Sequence, residues 1–175
     1  MTVQLLGPRH RSMVSVAGLD RAAASLVSAS RLGQLAGSVA AAQSWRSILR
    51  FTAGRRWYRR LALTDDYEIW LLSWLPGQHT GFHDHGDAAG AFAVAQGELR
   101  ESLASPGRKS VTARTAGPGS VTSFDSPHVH DVANVSGEPA VSVHAYSPPL
   151  AAMRRFEMTR SGLALVRTDV AELDW

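Results

Sequence analysis

The chain contains no cysteine. Disulfides, thiolate metal sites and cysteine nucleophiles are thereby excluded, so any metal must be held by histidine and carboxylate. No apolar run reaches the roughly 18 residues of a membrane span. The opening stretch, MTVQLLGPRHRSM, has too short an apolar segment for a signal peptide. The expectation is a cytoplasmic protein with no membrane partner. A strong charge bias is also missing: eighteen Lys and Arg face fifteen Asp and Glu, a formal charge of +3. That balance leaves no nucleic-acid footprint. Arg55, Arg56, Arg59 and Arg60 do cluster. As a whole the cluster reads as a solvated basic edge, though not for every member.

What is present fits one globular unit. The 175 residues, 45% of them hydrophobic, suffice for a single domain with a sizeable core. From Leu19 to about Arg50 the chain is Ala-rich, with Leu26, Leu32, Leu35, Val39, Trp45, Ile48 and Leu49 at roughly helical spacing. Gly33 and Gly37 interrupt it, which predicts two or more short helices. Asp20 and Ser44 are candidate N-caps. Residues 1–50 thus read as an N-terminal helical layer.

Beyond Arg50, short runs rich in Val, Ile, Thr and aromatics alternate with Gly, Pro, Ser and Asp clusters. The predicted strands are Trp57–Leu63, Glu68–Leu75, Ala91–Ala95, Glu98–Ser102, Ser110–Arg114, Ser120–Phe124, His130–Val135 and Ala140–Tyr146. A last hairpin is expected near Arg154–Thr159 and Leu163–Arg167. Many short strands at this spacing predict an all-β sandwich or barrel over about 57–170.

The chemistry gathers in residues 77–101, GQHTGFHDHGDAAGAFAVAQGELRE. His83 and His85 are two apart, so on an extended strand both rings point to one face and can share a metal. His130, which opens HDVAN, can close the site as a third nitrogen ligand. His79 and His128 lie nearby, but Gly81 and Pro127 place them in turns, so they are not counted as ligands. Three histidines leave a divalent ion its full charge, which favours an anionic substrate on the metal. A thiol fits: its pKa of about 8.5 falls on coordination. Iron would leave positions open for a second substrate atom and dioxygen.

Gly77, His83, His85 and Gly97, followed by His130-x-x-x-Asn134, resemble the two sequence blocks of the cupin barrels. The resemblance implies a mainly β fold, a jelly-roll barrel carrying the N-terminal helical layer. The glutamate of the first block falls on Ala89 or Gly90, so that carboxylate ligand is missing. Downstream, Ser142, His144 and Tyr146 are spaced i, i+2, i+4 in AVSVHAYSPP and share one strand face. Together with HDH, the QG turn at 96–97, HDVAN and SVHAYSPP, they make residues 57–149 resemble the cysteine dioxygenase family.

That resemblance implies Fe(II) on His83, His85 and His130. The implied activity is oxidation of L-cysteine with O2 to cysteine sulfinate, with Ser142, His144 and Tyr146 as an outer-sphere triad. The family's Tyr-x-Arg-Asn stretch corresponds to Trp57-Tyr58-Arg59-Arg60. It puts Arg59 on the substrate carboxylate, where a guanidinium donates two parallel hydrogen bonds. Trp57 for Tyr and Arg60 for Asn are departures. The family's crosslinking cysteine falls on Gly90, so no Cys–Tyr thioether can form and Tyr146 acts as a free phenol. Matches to the family also lead to the expectation of a cis Ser147–Pro148 bond.

The alternatives are the same chemistry on 3-mercaptopropionate or another small thiol, a three-histidine zinc hydrolase or lyase, and a non-catalytic ligand-binding cupin. The expected assembly is a monomer.

Overall fold

The computed structural model describes residues 26–170. One helix, α1 (Ala29–Ala42), and a 3₁₀ turn over Ser44–Ser47 precede ten strands. The strands are β1 (Trp57–Leu63), β2 (Glu68–Trp74), β3 (Ala89–Gln96), β4 (Leu99–Ala104) and β5 (Val111–Ala116). They continue as β6 (Val121–Phe124), β7 (His130–Ala133), β8 (Ala140–Ser147), β9 (Ala152–Thr159) and β10 (Gly162–Val170). Every strand expected from the sequence is present, Trp57–Leu63 with both ends as expected and the others with at least one end shifted by up to three residues.

One sheet runs β1-β2-β8-β3-β6. The facing layer holds β5-β4-β7 and the β9–β10 hairpin. The segment around 79–83 stitches these together, because His83 bridges His130 of β7 on one side and Arg155 of β9 on the other. The two layers enclose an apolar core of Trp70, Leu72, Trp74, Phe92, Val94, Leu99, Phe124 and Val132. A second core lies between the five-stranded sheet and α1, built from Leu32, Ala36, Ala40, Ile69, Leu71, Ala91, Val141, Val143 and Ala145. Strand β8 is buried on both faces. Its odd-numbered residues meet the helix and its even-numbered ones enter the barrel. Both Ser126–Pro127 and Ser147–Pro148 are cis.

The helical layer departs from expectation. A single helix runs through Gly33 and Gly37. Its cap is Ser28, whose side chain accepts from the Arg31 N–H, while Asp20 lies outside the described residues. Ser44 is not a cap: it begins the 3₁₀ turn, whose N-cap is Gln43 at φ 54°. The glycines cost helix propensity, about 1 kcal/mol each, but permit close packing. A Cβ on Gly33 would collide with the Ser123 hydroxyl of β6, and one on Gly37 would press on Val121 at 3.3 Å. The interruption visible in the sequence is therefore a contact face. No helix among the described residues is long and apolar enough to cross a membrane.

Gly33→Val should destabilise the protein by about 1–3 kcal/mol through overpacking, read as a lower denaturant midpoint, whereas Gly54→Ala, which meets nothing within 4 Å, should have little effect.

Candidate metal centre and substrate pocket

His83, His85 and His130 meet at the barrel interior, all three buried. Their ligand atoms lie within 4.8 Å of one another. The alternation of an extended segment, bridged at His83, does the placing. His83 and His85 point inward, and Asp84 between them points outward to β9. There it accepts from Arg154 Nε at 2.8 and 3.0 Å and from the Gly86 N–H at 3.1 Å. His83 is paired with His130 by two backbone hydrogen bonds, each 2.9 Å.

The remaining contacts decide which nitrogens are free. His83 Nδ1–H donates to the Gly81 carbonyl at 2.9 Å. His130 Nδ1–H donates to the Glu101 carboxylate at 2.8 Å. Each then presents Nε2 as a lone-pair donor. Neither nitrogen of His85 has a partner among the described residues. Its ring is held by stacking instead, on Phe124 at 5.2 Å and beside Tyr146 at 4.7 Å. Burial, reinforced by mutual repulsion, pushes His83 and His85 well below the ordinary histidine range, and burial also lowers His130. All three are neutral at pH 7, the form that binds metal. An orphaned buried imidazole beside two oriented ones fits a divalent ion with a preference for nitrogen ligands.

His79 lies outside this cluster, while His128 borders it, 4.7 Å from the His130 ring, and forms with Glu101 and His130 a second group whose ligand atoms lie close together. His79 accepts from the Gly81 N–H in its turn. His128 Nε2–H donates to Glu101 at 2.9 Å. Glu101 went unremarked in the sequence, although it shares a strand face with Leu99, and an acid on an apolar face is a readable signal. It is 1% exposed. Burial would raise its carboxyl, but hydrogen bonds from His128, His130 and Arg114 outweigh that and hold it well below the carboxylate range.

Ser142, His144 and Tyr146 form a continuous line on β8. Ser142 Oγ lies 2.8 Å from His144 Nε2, and His144 Nδ1 lies 3.2 Å from the Tyr146 hydroxyl. A fourth member, absent from the sequence reading, is Trp74, whose Nε1–H donates to Ser142 Oγ at 2.9 Å. An indole N–H can only donate. Ser142 accepts from Trp74 and, with a second lone pair and its own proton, can meet either tautomer of His144 at Nε2. Burial pushes His144 down to about 3, so the ring is neutral and carries one proton. The tautomer sets whether Nδ1 donates to the Tyr146 oxygen or accepts the phenol proton. Burial raises the phenol above its ordinary value, so it stays protonated. Gly90 lies opposite Tyr146 in the β3–β8 register. A Cβ there would fall 2.6 Å from the Phe124 ring and 2.9 Å from Tyr146 Cδ1, so Phe124 fills the space a side chain at position 90 would need.

The pocket is a cavity of about 50 Å³ bounded by His83, His130, His144 and Tyr146 on one side and by Arg56, Tyr58, Trp70 and Arg155 on the other. Arg59 does not reach it. In the β1–β2 register Arg59 pairs with Leu71, which packs beneath α1, whereas Tyr58 pairs with Leu72 of the barrel core. Arg59 is exposed on the outer face. The match to the family stretch is thus out by one residue. Moving it by one sets Tyr58 and Arg60 in the Tyr-x-Arg places, but Arg60 is drawn to Glu68 at 3.6 Å and over the Trp70 ring at 5.3 Å. The pocket guanidinium is Arg56. It lies over Trp74 at 4.6 Å, its Nη1 donates to the His79 carbonyl at 3.3 Å, and its buried Nε has no partner among the described residues. Burial lowers it to about 10, so it remains charged at neutral pH. Arg155 is held by Asp169 at 2.8 Å. Among the described residues, no Asp or Glu lines the cavity.

The family model for cysteine dioxygenase type I matches residues 13–159. The chain belongs to the cysteine dioxygenase family. Cysteine dioxygenase type 1 of Danio rerio is 33% identical over 127 residues, 66% of this chain and 62% of that protein. The Rattus norvegicus protein of the same name is 35% identical over 99 residues, 52% of this chain and 50% of its own length. The matches thus span between half and two thirds of these cysteine dioxygenases. Among solved structures, TT1209 from Thermus thermophilus superposes with a TM-score of 0.54 at 18% identity, covering 61% of this chain and 95% of that one. An uncharacterized conserved protein with a double-stranded β-helix domain from Klebsiella pneumoniae gives 0.52 at 22%, covering 71% and 95%. These likenesses agree with the mainly β, cupin-type barrel of this member of the family.

Single Ala replacements of His83, His85 and His130 should each abolish stoichiometric metal binding, measured by elemental analysis; full retention in any one would remove that residue from the ligand set.

Proposed function

We propose that this member of the family is a thiol dioxygenase that binds Fe(II) at His83, His85 and His130 and oxidises a small thiol carboxylate, L-cysteine first among them, with O2 to the sulfinate. The observation that carries the reading is a buried three-histidine cluster, two members of which line one small cavity, with a protonated phenol and an arginine carrying an unpartnered guanidinium nitrogen on the wall of the same cavity. When bound, iron supplies open positions for a thiolate and for dioxygen activation.

The chain's own residues supply the rest. Arg56 offers its Nε–H to the substrate carboxylate, a charge-assisted bond that offsets the cost of the buried unpaired donor. Tyr146 presents its hydroxyl beside the histidines, held by His144, Ser142 and Trp74. The apolar walls, Leu72, Val132, Leu150 and Met153, exclude water and strengthen those polar contacts. A cavity of about 50 Å³ suits a few heavy atoms.

A second substrate has specific support. With Arg56 and Arg155 on the wall and no acid among the described residues that line the cavity, the wall offers an α-ammonium no carboxylate partner. That favours 3-mercaptopropionate, which has no amine to place. A zinc hydrolase would leave the Tyr146 line and Arg56 without a task.

Oxygen consumption by the iron-loaded protein with cysteine, 3-mercaptopropionate and cysteamine separates these readings. Thiol-dependent uptake with either carboxylate is expected, weak with cysteamine, and none with any thiol would overturn the proposal. Arg56→Ala should raise KM for the carboxylate thiols at least tenfold, a loss of about 1.4 kcal/mol, while Arg59→Ala should leave it unchanged. Tyr146→Phe should lower kcat roughly 10- to 100-fold, about 1.4–2.8 kcal/mol, with iron content near wild type; a wild-type rate would remove the phenol from the reaction.

A further inference from the structure

We propose that Glu101 is the positioning residue of the metal centre: it fixes the His130 ring and returns, one layer behind the ligands, the negative charge that an all-histidine donor set lacks. This rests on the reading of His83, His85 and His130 as a metal site.

The motivating facts are burial and connectivity. Glu101 lies on β4, on the face shared by Leu99 and Leu103, where a leucine would satisfy the core. Instead a carboxylate stands there, 1% exposed. Its desolvation is costly unless its lone pairs are used. Oε1 accepts two N–H groups, from His130 Nδ1 at 2.8 Å and His128 Nε2 at 2.9 Å. Oε2 accepts from Arg114 Nε at 2.6 Å. The carboxylate is held from both ends and cannot rotate away from His130.

Two consequences follow from elementary chemistry. The hydrogen bond locks the proton of His130 on Nδ1, so that Nε2 faces the other two ligands. It also pulls that proton toward oxygen, which makes the ring a more basic ligand. A negative charge at this distance stabilises a trivalent ion more than a divalent one. His128 moderates the effect, because it competes for the same oxygen. It also stacks on Phe124 at 4.1 Å with an interplanar angle of 8°, and another neighbour of Phe124 is His85. The Glu101–His128 pair therefore reaches two of the three ligands, one by hydrogen bond and one through an aromatic ring. At the first-block position where a glutamate ligand is absent, Ala89 or Gly90, no charge is present; Glu101 supplies it from β4 of the other sheet, beside the His130 strand β7.

The test is anaerobic competition of Fe(II) or Co(II) between the protein and a chelator, with the Fe(III)/Fe(II) midpoint potential and the thermal midpoint of the metal-free protein measured alongside. Glu101→Gln keeps the shape and an acceptor oxygen but removes the charge. It should weaken divalent binding roughly 10- to 100-fold and raise the potential; the amide N–H then opposes the Arg114 N–H, so the metal-free thermal midpoint falls as well, whereas the change in potential reports the lost charge. Affinity and potential equal to wild type would overturn the proposal. Should Glu101→Gln fail to fold, His128→Phe decides. It leaves Oε1 to His130 alone, so the potential should fall; an unchanged or higher potential refutes the idea. Wild-type protein that binds neither ion would refute the metal site itself, a result distinct from wild-type binding that Glu101→Gln leaves intact.

Discussion

Two backbone hydrogen bonds, both 2.9 Å, join His83 to His130, and the site depends on them. Residues that exchange both bonds across an antiparallel pair project their side chains from the same face. The pairing therefore sets two imidazoles side by side although they lie far apart in the chain, with His85 two residues along to complete the cluster. The same segment bonds on its other edge to β9, through Asp84 N–H to the Arg154 carbonyl at 3.0 Å and Phe156 N–H to the Phe82 carbonyl at 2.8 Å. The ligand segment, though outside the ten strands, is thus an extended stretch bridged to strands on both sides. That arrangement also brings Arg155 to the pocket wall, since Arg154 is held outward by Asp84 and its neighbour must face inward.

The second constraint is a buried hydrogen-bond line. Trp74 donates to Ser142, and the line continues through His144 to the Tyr146 phenol. Four side chains on two neighbouring strands thus hold that phenol in place. Each is buried, so a break anywhere would leave an unsatisfied polar group, at about 1–3 kcal/mol. Stability and function are coupled here: the contacts that keep β8 in the core also orient the phenol.

Electrostatically the centre is layered. The ligand histidines are neutral because they are buried, and the pocket wall carries two guanidinium groups. Glu101, the carboxylate that touches a ligand, sits behind His130. An anion entering the cavity would therefore meet positive charge from the wall, and from any metal held by the three histidines, while the Glu101 charge stays behind His130. Asp84, another buried acid of the region, is neutralised by Arg154 on the outer face and adds no charge to the pocket.

The sequence alone determined the strands, the barrel, the pairing of His83 with His85 and the shared face of Ser142, His144 and Tyr146, because these depend on local alternation and on residue type. The absence of cysteine settled, without any structure, that Tyr146 carries no thioether. Other features needed tertiary information. Whether Gly33 and Gly37 broke a helix or let it approach β6 depended on Ser123 and Val121, which are distant in the chain. Which arginine entered the pocket turned on the register of β1 against β2, and a slip of one residue exchanges the two faces of a strand. The cluster RRWYRR offers an arginine on either parity, so motif matching chose Arg59 while the fold turned Arg56 inward. Glu101 and Trp74 were legible as residues but not as partners, because a hydrogen bond across strands depends on which strands are neighbours, and only the folded barrel decides that.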